Sequence, residues 1–262
     1  MKHIMTLLAG LLWAAAVSAA ERPNFVIFYV DDLGWADTSV RMMESDPNSA
    51  SDFHQTPHLA ALAKRGMKFS NAYAPAPTCT PSRKSIQFGK TPGRLGYTFV
   101  HDVLALQRKL EWKDETSLAD VVKAADPKYI TAHFGKGMGN ERMETIGYDV
   151  TDELEPHGDN GNFHGDYISL KNRTKLPPDN PKRMASLRKS SVDFVNAHSG
   201  KRPFLMMVSH YAVHVPHAAR ADLIEKYRKL PRGKYLTDSD YLPVDEMPKG
   251  KVISSWRLQY AA

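Results

Sequence analysis

Asn24-Phe25-Val26-Ile27-Phe28-Tyr29-Val30, followed at once by Asp31-Asp32-Leu33-Gly34, is the stretch from which the fold can be read. Phe25 to Val30 is an unbroken apolar run of strand length, rich in β-branched and aromatic residues, the pattern of a strand buried on both faces of a parallel sheet. Two carboxylates at the carboxyl end of such a strand lie where α/β sheets bind ligands, and together they make a hard oxygen site for a divalent cation. The other reading of Asp31-Asp32 is an Asx-type turn leading into a loop.

The same arrangement recurs along the chain. A short alternating segment, Met67 to Tyr73, predicts a strand that leads through Ala74-Pro75-Ala76-Pro77 to Cys79. Tyr129 to Phe134 predicts another that ends in Gly135-Lys136, and Pro203 to Ser209 a third that runs into His210, His214 and His217. Between them lie helical patterns. Thr56-Pro57 caps a helix with Leu59, Leu62 and Ala63 on one face; Asp114 to Ala125 carries Leu118, Val121, Val122 and Ala125; Pro181 to His198 is ended by Ser199-Gly200. The fold class is therefore α/β, a mostly parallel central sheet flanked by helices, in which Met67–Tyr73 completes a βαβ unit with the first strand. Reactive side chains gather at one edge of that sheet.

Cys79 is the only cysteine. A lone cysteine is either a small buried hydrophobe or a reactive centre, and its neighbours favour the second. Thr80 suits a helix cap and Pro81 its first position, so Ser82 to Phe88 reads as a helix that stops at Gly89, with Cys79 just outside its N-terminus. Unpaired N–H groups there favour an anion, and Arg83, one turn in, adds a bidentate cation. His54 and His58, one turn apart on the surface, and the three histidines after Ser209 invite a zinc reading. No cysteine or ligand-bearing helix supports zinc, so a catalytic role ranks above it, with His210 and His217 as supporting or surface residues.

Residues 1–19 read as a secretory leader: Lys2, an apolar run from Met5 to Val17, then small residues at Ser18-Ala19-Ala20. Its removal deletes the one cation Lys2 and takes the formal charge from +6 to about +5. Residues 20–262 suffice for one large domain with a proper core. Cations crowd the C-terminal half, as in Lys171, Arg173, Lys175, Lys182, Arg183, Arg188 and Lys189. The ordinary reading is a solvated face; the functional one is attraction of an anionic substrate such as a sulfated glycan. Neither nucleic acid nor, once the leader is gone, a membrane is an expected partner, and the expected location is periplasmic or extracellular.

Cys79-Thr80-Pro81-Ser82-Arg83 resembles the activation motif of the type I sulfatases, a formylglycine-dependent branch of the alkaline-phosphatase-like superfamily, with a looser continuation to Arg94. Pro23 to Gly34 is similar to that family's N-terminal strand almost residue for residue, Gly135-Lys136 to its second signature, and His214 to its Val-His-x-Pro histidine. The resemblance implies a sulfuric ester hydrolase acting on a sulfated small molecule or glycan. It implies that a maturation enzyme oxidises Cys79 to formylglycine, that Asp31, Asp32 and the residue-79 oxygen bind a calcium-like cation, and that Arg83, Lys136 and His214 hold the sulfate. Met138 stands where the pattern has a histidine. Either another side chain serves the leaving group, with His133, His157 and His164 in the neighbourhood, or this member handles it differently.

The family's further metal ligands, an Asp and an Asn, and a second Lys come from a later strand than any in residues 1–262. The expectation is thus the N-terminal part of a sulfatase catalytic domain, C-terminally shortened, with a weakened metal site, since calcium takes about six to eight oxygens. The alternatives are a phosphonate or phosphate monoester hydrolase of the same superfamily, a catalytically impaired anion- or sugar-binding remnant, and a hydrolase that uses an unmodified thiol with a histidine.

Overall fold

The computed structural model describes residues 22–100, 102, 112–139, 141–152, 167–169, 174–175, 177–215 and 217–231. The leader, His157 and His164 lie outside the described residues. Four parallel strands form one sheet: β1 (Phe25–Tyr29), β2 (Ile130–Gly135), β3 (Val150–Thr151) and β6 (Phe204–Ser209), in the order β1-β6-β2-β3. Two short antiparallel strands, β4 (Tyr167–Ser169) and β5 (Thr174–Lys175), form a separate ribbon inside a segment whose composition predicts only irregular chain. The helices are α1 (Pro57–Ala63), α2 (Cys79–Phe88), α3 (Pro92–Leu95), α4 (Leu118–Ala125), α5 (Met184–His198) and α6 (Ala221–Lys229). None among the described residues is long and apolar enough to cross a membrane.

Every residue of β6 is buried, as a strand with neighbours on both sides and helices above and below requires. One face packs Leu205 with Phe88, Leu95, Ala119, Met138 and Ile146; the other packs Phe204, Met206 and Val208 with Ala132, Phe134, Leu187 and Phe194. The register then does something the sequence does not state. Tyr29 lies opposite Ser209, and Ser209 opposite Gly135, so the chain leaves three adjacent strands at one level and sets Asp31, His210 and Lys136 side by side.

Three sequence expectations change. β1 is not buried on both faces: Val26 is 54% and Phe28 58% exposed, because β1 is the edge of the sheet among the described residues. An apolar run alone cannot tell a strand with two neighbours from one with a single neighbour. Met67 to Tyr73 is not a strand, and Met67, Phe69 and Tyr73 are exposed; alternation makes a strand only where a partner edge accepts it, and none of the described strands lies beside this segment. The βαβ unit is therefore not formed, and Cys79 is reached through irregular chain. Finally, α2 starts two residues early, with Thr78 as cap, Cys79 as its first residue and Pro81 as its third. Proline is tolerated there because the first N–H groups of a helix have no intrahelical acceptor. Its end at Gly89, with φ 60, is as expected.

Burial has a pH consequence. Desolvation, and then the charge of Arg83, hold His133 down to about 3 and His210 down to about 4. The unfolded chain binds both protons near pH 6.5, whereas the folded chain refuses them until pH 4 and below. Stability is thus full above pH 6.5 and is lost as pH falls through the two lowered values, at up to about 1.4 kcal/mol per proton per pH unit. The expected result is a thermal midpoint several degrees lower at pH 5 than at pH 7, with a smaller difference in His133→Phe. Equal midpoints at the two pH values would show that these histidines are not buried neutral.

Candidate active site

Arg83 organises the sheet edge. It is 2% exposed and projects from the first turns of α2. Its Nη1 donates to the Lys136 carbonyl at 2.8 Å and to Ser209 Oγ, and its Nη2 donates to Asp31 Oδ1 at 3.1 Å. The guanidinium lies 4.8 Å from the centre of the Tyr29 ring. Lys136 Nζ donates to the other oxygen of Asp31, and Ser209 Oγ donates to the Lys136 carbonyl at 2.6 Å. Burial pushes the Asp31 carboxyl up, but Arg83 and Lys136, by charge and hydrogen bonds together, outweigh it and leave the group below the usual carboxylate range.

A second pair lies alongside. The Asp31 N–H donates to the Ala212 carbonyl at 2.9 Å and the Val213 N–H to the Asp31 carbonyl at 2.7 Å, which ties the end of β1 to the loop carrying the histidines. His214 Nε2 is 3.7 Å from Asp32 Oδ2, and its Nδ1 is 2.5 Å from the Val215 carbonyl. A carbonyl only accepts, so Nδ1 carries a proton and Nε2 is the atom turned to Asp32. Asp32 itself is in the left-handed region, φ 58, and its side chain is half-exposed.

Cys79 is half-buried, with Sγ 3.9 Å from Thr80 Oγ1. Tyr29 links it to the rest. Burial raises the Tyr29 hydroxyl, Arg83 opposes this, and the charges of Asp31, Cys79 and Asp32 add to the rise. Of the sequence candidates, Asp31, Arg83 and Lys136 are thus in direct contact, Asp32 and His214 form the adjoining pair, and Cys79 lies within electrostatic reach of Tyr29. Tyr29 and Ser209 were missed by sequence reasoning. Their only signal is position, each the last residue of a strand that runs into the site.

The remaining candidates fall away from it. Met138 is fully buried in the hydrophobic cluster with Phe88 and Leu95, so it presents nothing to a leaving group. His133 packs edge-on against Tyr148 in the interior and does not take its place. His210 packs against Phe28 with the rings tilted by 50°, and its Nδ1 is 3.2 Å from Met184 Sδ. His54 Nδ1 is 2.8 Å from the Asp37 carbonyl, a loop contact, and His58 is exposed on α1.

Both Asp31 oxygens are taken by cations, and Asp32 faces His214. Among the described residues no group of three or more His, Cys, Asp or Glu is placed to hold an ion. As arranged among the described residues, this donor set does not fit calcium.

Residues 23–238 match a family model described as Sulfatase. The chain belongs to the sulfatase family. Bovine arylsulfatase A is 33% identical over 190 residues, which cover 69% of this chain and 33% of that protein. Rat arylsulfatase G is 36% identical over 117 residues, 45% of this chain and 20% of that protein. This sulfatase-family chain therefore spans a third or less of the length of these relatives. In fold it is similar to the crystal structure of Ps i-CgsB, with a TM-score of 0.61 at 19% identity over 92% of this chain and 51% of that one. It is also similar to the PsFucS1 sulfatase from Pseudoalteromonas sp., with a TM-score of 0.55 at 19% identity over 85% and 50% of the two chains.

Proposed function

We propose that this sulfatase-family chain hydrolyses a sulfate monoester, on a carbohydrate, in the periplasm or outside the cell, and that residues 20–262 form the N-terminal part of a sulfatase catalytic domain. The observation that carries this reading is the Arg83–Asp31–Lys136 cluster at the sheet edge, beside a half-buried cysteine in the first turn of α2. Oxidised to formylglycine and hydrated, residue 79 would supply one hydroxyl to attack sulfur and a second through which sulfate is released. That oxidation requires a maturation enzyme as partner. Arg83 and Lys136 hold the non-bridging oxygens, and fixed cations in a site closed to water stabilise charge that develops there by several kcal/mol. His214, oriented through Nδ1, presents Nε2 to the departing alcohol and, when protonated, gives it a proton. For a carbohydrate substrate, support comes from a structural neighbour at 20% identity and TM-score 0.57, described in complex with its substrate D-glucosamine-2-N,6-O-disulfate. The leader-like start of the sequence supports export.

The incomplete donor set among the described residues favours one other reading, an anion-binding chain with little turnover. Mass spectrometry of the Cys79 peptide from secreted protein, together with rates on an aryl sulfate and an aryl phosphonate, separates the readings. The expected result is an aldehyde at residue 79 and preference for the sulfate. A thiol throughout removes the formylglycine route, preference for the phosphonate makes the chain a phosphonate hydrolase, and sulfate binding without turnover supports the second reading.

A further inference from the structure

Next to Arg83 in α2 stands a second buried cation. Lys84 is 0% exposed, and its Nζ donates to Glu141 Oε1 at 2.8 Å. The ammonium also lies 3.9 Å from the centre of the Trp112 ring and 4.9 Å from that of Tyr97, so two aromatic faces and one carboxylate enclose it. That box is itself fixed. Trp112 stacks on Phe88 of α2 and meets Tyr97 edge to face, and the Tyr97 hydroxyl donates to the Val100 carbonyl at 2.7 Å. Burial pushes the Lys84 ammonium down, while Glu141 opposes this by charge and by its hydrogen bond. The second oxygen of Glu141 is buried and has no hydrogen-bond partner among the described residues, so it is Lys84 that holds this side chain.

Replacing both partners of a buried ion pair by apolar groups of similar size is often neutral or stabilising, so a pair of this kind points to fixed geometry more than to stability. Here the geometry bears on residue 79. Successive residues of a helix point about 100° apart, so Arg83 and Lys84 hold α2 from two sides. Arg83 ties it to the strand ends, at Asp31, Ser209 and the Lys136 carbonyl. Lys84 ties it to Glu141, further along the loop that Lys136 begins. Between the two ties Met138 is sunk in the core beside Phe88, and the loop then crosses the first turn of α2. A Cβ on Gly139 would stand 2.9 Å from Glu141 Oε2 and 3.6 Å from Thr80 Cγ2, and Thr80 adjoins Cys79. The Glu141 arm thus closes the loop onto the turn that carries residue 79.

We propose that Lys84 and Glu141 are a positioning pair for this site: they fix the first turn of α2, and with it residue 79, against the cations that hold the sulfate ester. The proposal rests on the reading that residue 79 attacks a sulfate ester. Kinetics of the secreted full chain on an aryl sulfate test it, in wild type, Glu141→Gln and the double variant Lys84→Met/Glu141→Leu, each with a melting curve. Because Arg83 and Lys136 keep their own contacts, KM is expected to stay within about 3-fold while kcat falls about 10- to 100-fold, the cost of moving a reacting group by about 1 Å. A folded double variant that keeps its kcat overturns the proposal, as does a rise in KM with kcat unchanged. If Glu141→Gln, which leaves the buried ammonium without a charge partner, does not fold, the double variant, which removes both charges, decides. The backbone amide resonance of residue 79 gives a readout independent of turnover. It is expected to shift in the variants while the side-chain nitrogen resonance of Lys136 stays still, and the proposal fails if residue 79 does not shift or if Lys136 moves with it. Absence of turnover in wild type overturns the sulfate-ester reading alone, and these resonances then decide for the pair.

Discussion

Arg83→Met is expected to abolish turnover of a sulfate ester and to lower the thermal midpoint by about 10 °C. The guanidinium touches three strand ends, through Asp31, Ser209 Oγ and the Lys136 carbonyl. Its loss leaves a 3% exposed carboxylate with Lys136 as its remaining ion-pair partner among the described residues. Breaking one partner of a buried ion pair costs about 3–5 kcal/mol, and each kcal/mol is worth about 2–4 °C in a chain of this size. Arg83→Lys restores the charge but not the fork, and is expected to recover part of the stability and little of the activity. The pH profile adds a check with a definite sign. Asp31 lies below the usual carboxylate range, so its contribution is present above about pH 4 and is lost as pH falls through its lowered value. In Arg83→Met the loss moves to higher pH. Differential scanning calorimetry at several pH values, with an aryl sulfate assay, measures all of this; an unchanged midpoint would show that Arg83 is not part of the framework.

Gly135→Ala is expected to be worse for folding. Gly135 has φ +96, and a Cβ there would stand 2.0 Å from the Ser209 carbonyl oxygen and 3.1 Å from Leu187 Cδ2. The oxygen cannot yield, because it accepts the Lys136 N–H at 2.8 Å, and Gly135 is itself held by Asp152. Either β2 and β6 part at this end or Lys136 leaves Asp31. Backbone strain of about 1–3 kcal/mol adds to the clash, so soluble yield should collapse or the midpoint fall by more than about 10 °C. Gly93→Ala is the control. Its Cβ would meet nothing within 4 Å, and the change should fall within about 0.5 kcal/mol of neutral. Similar melting of the two variants would remove the steric argument at Gly135.

The site was legible where chemistry is local. Asp31 and Asp32 after an apolar run, a lone Cys79 with Arg83 one turn later, and Lys136 after a strand are short-range patterns, and three of these side chains meet. What the sequence left out depends on register. Nothing local says that Tyr29, Ser209 and Gly135 stand level, and that alignment lets one arginine reach three strands. Lys84 was readable only as one residue of a helix, because the Tyr97 and Trp112 rings and the Glu141 carboxylate that enclose it arrive from later in the chain. Met138 shows the reverse case. Its sequence position next to Lys136 suggested a place in the site, yet the chain turns its side chain into the core. Met67–Tyr73 and the exposed faces of β1 failed for a shared reason: alternation and apolarity describe what a strand offers, while the neighbour decides what it becomes.

The edge position of β1 divides the site by mechanical security. Asp31 and Asp32 hang from the least enclosed strand of the described sheet, whereas Arg83 and Lys136 are rooted in α2 and next to the fully buried β6. Local opening draws first on such weakly covered elements. Under mild stress the carboxylates should therefore part from the cations while the sheet behind them is still intact, and amide exchange would show β1 losing protection before β6. The anion site would then fail by the departure of its counter-charges, with its cations still in place.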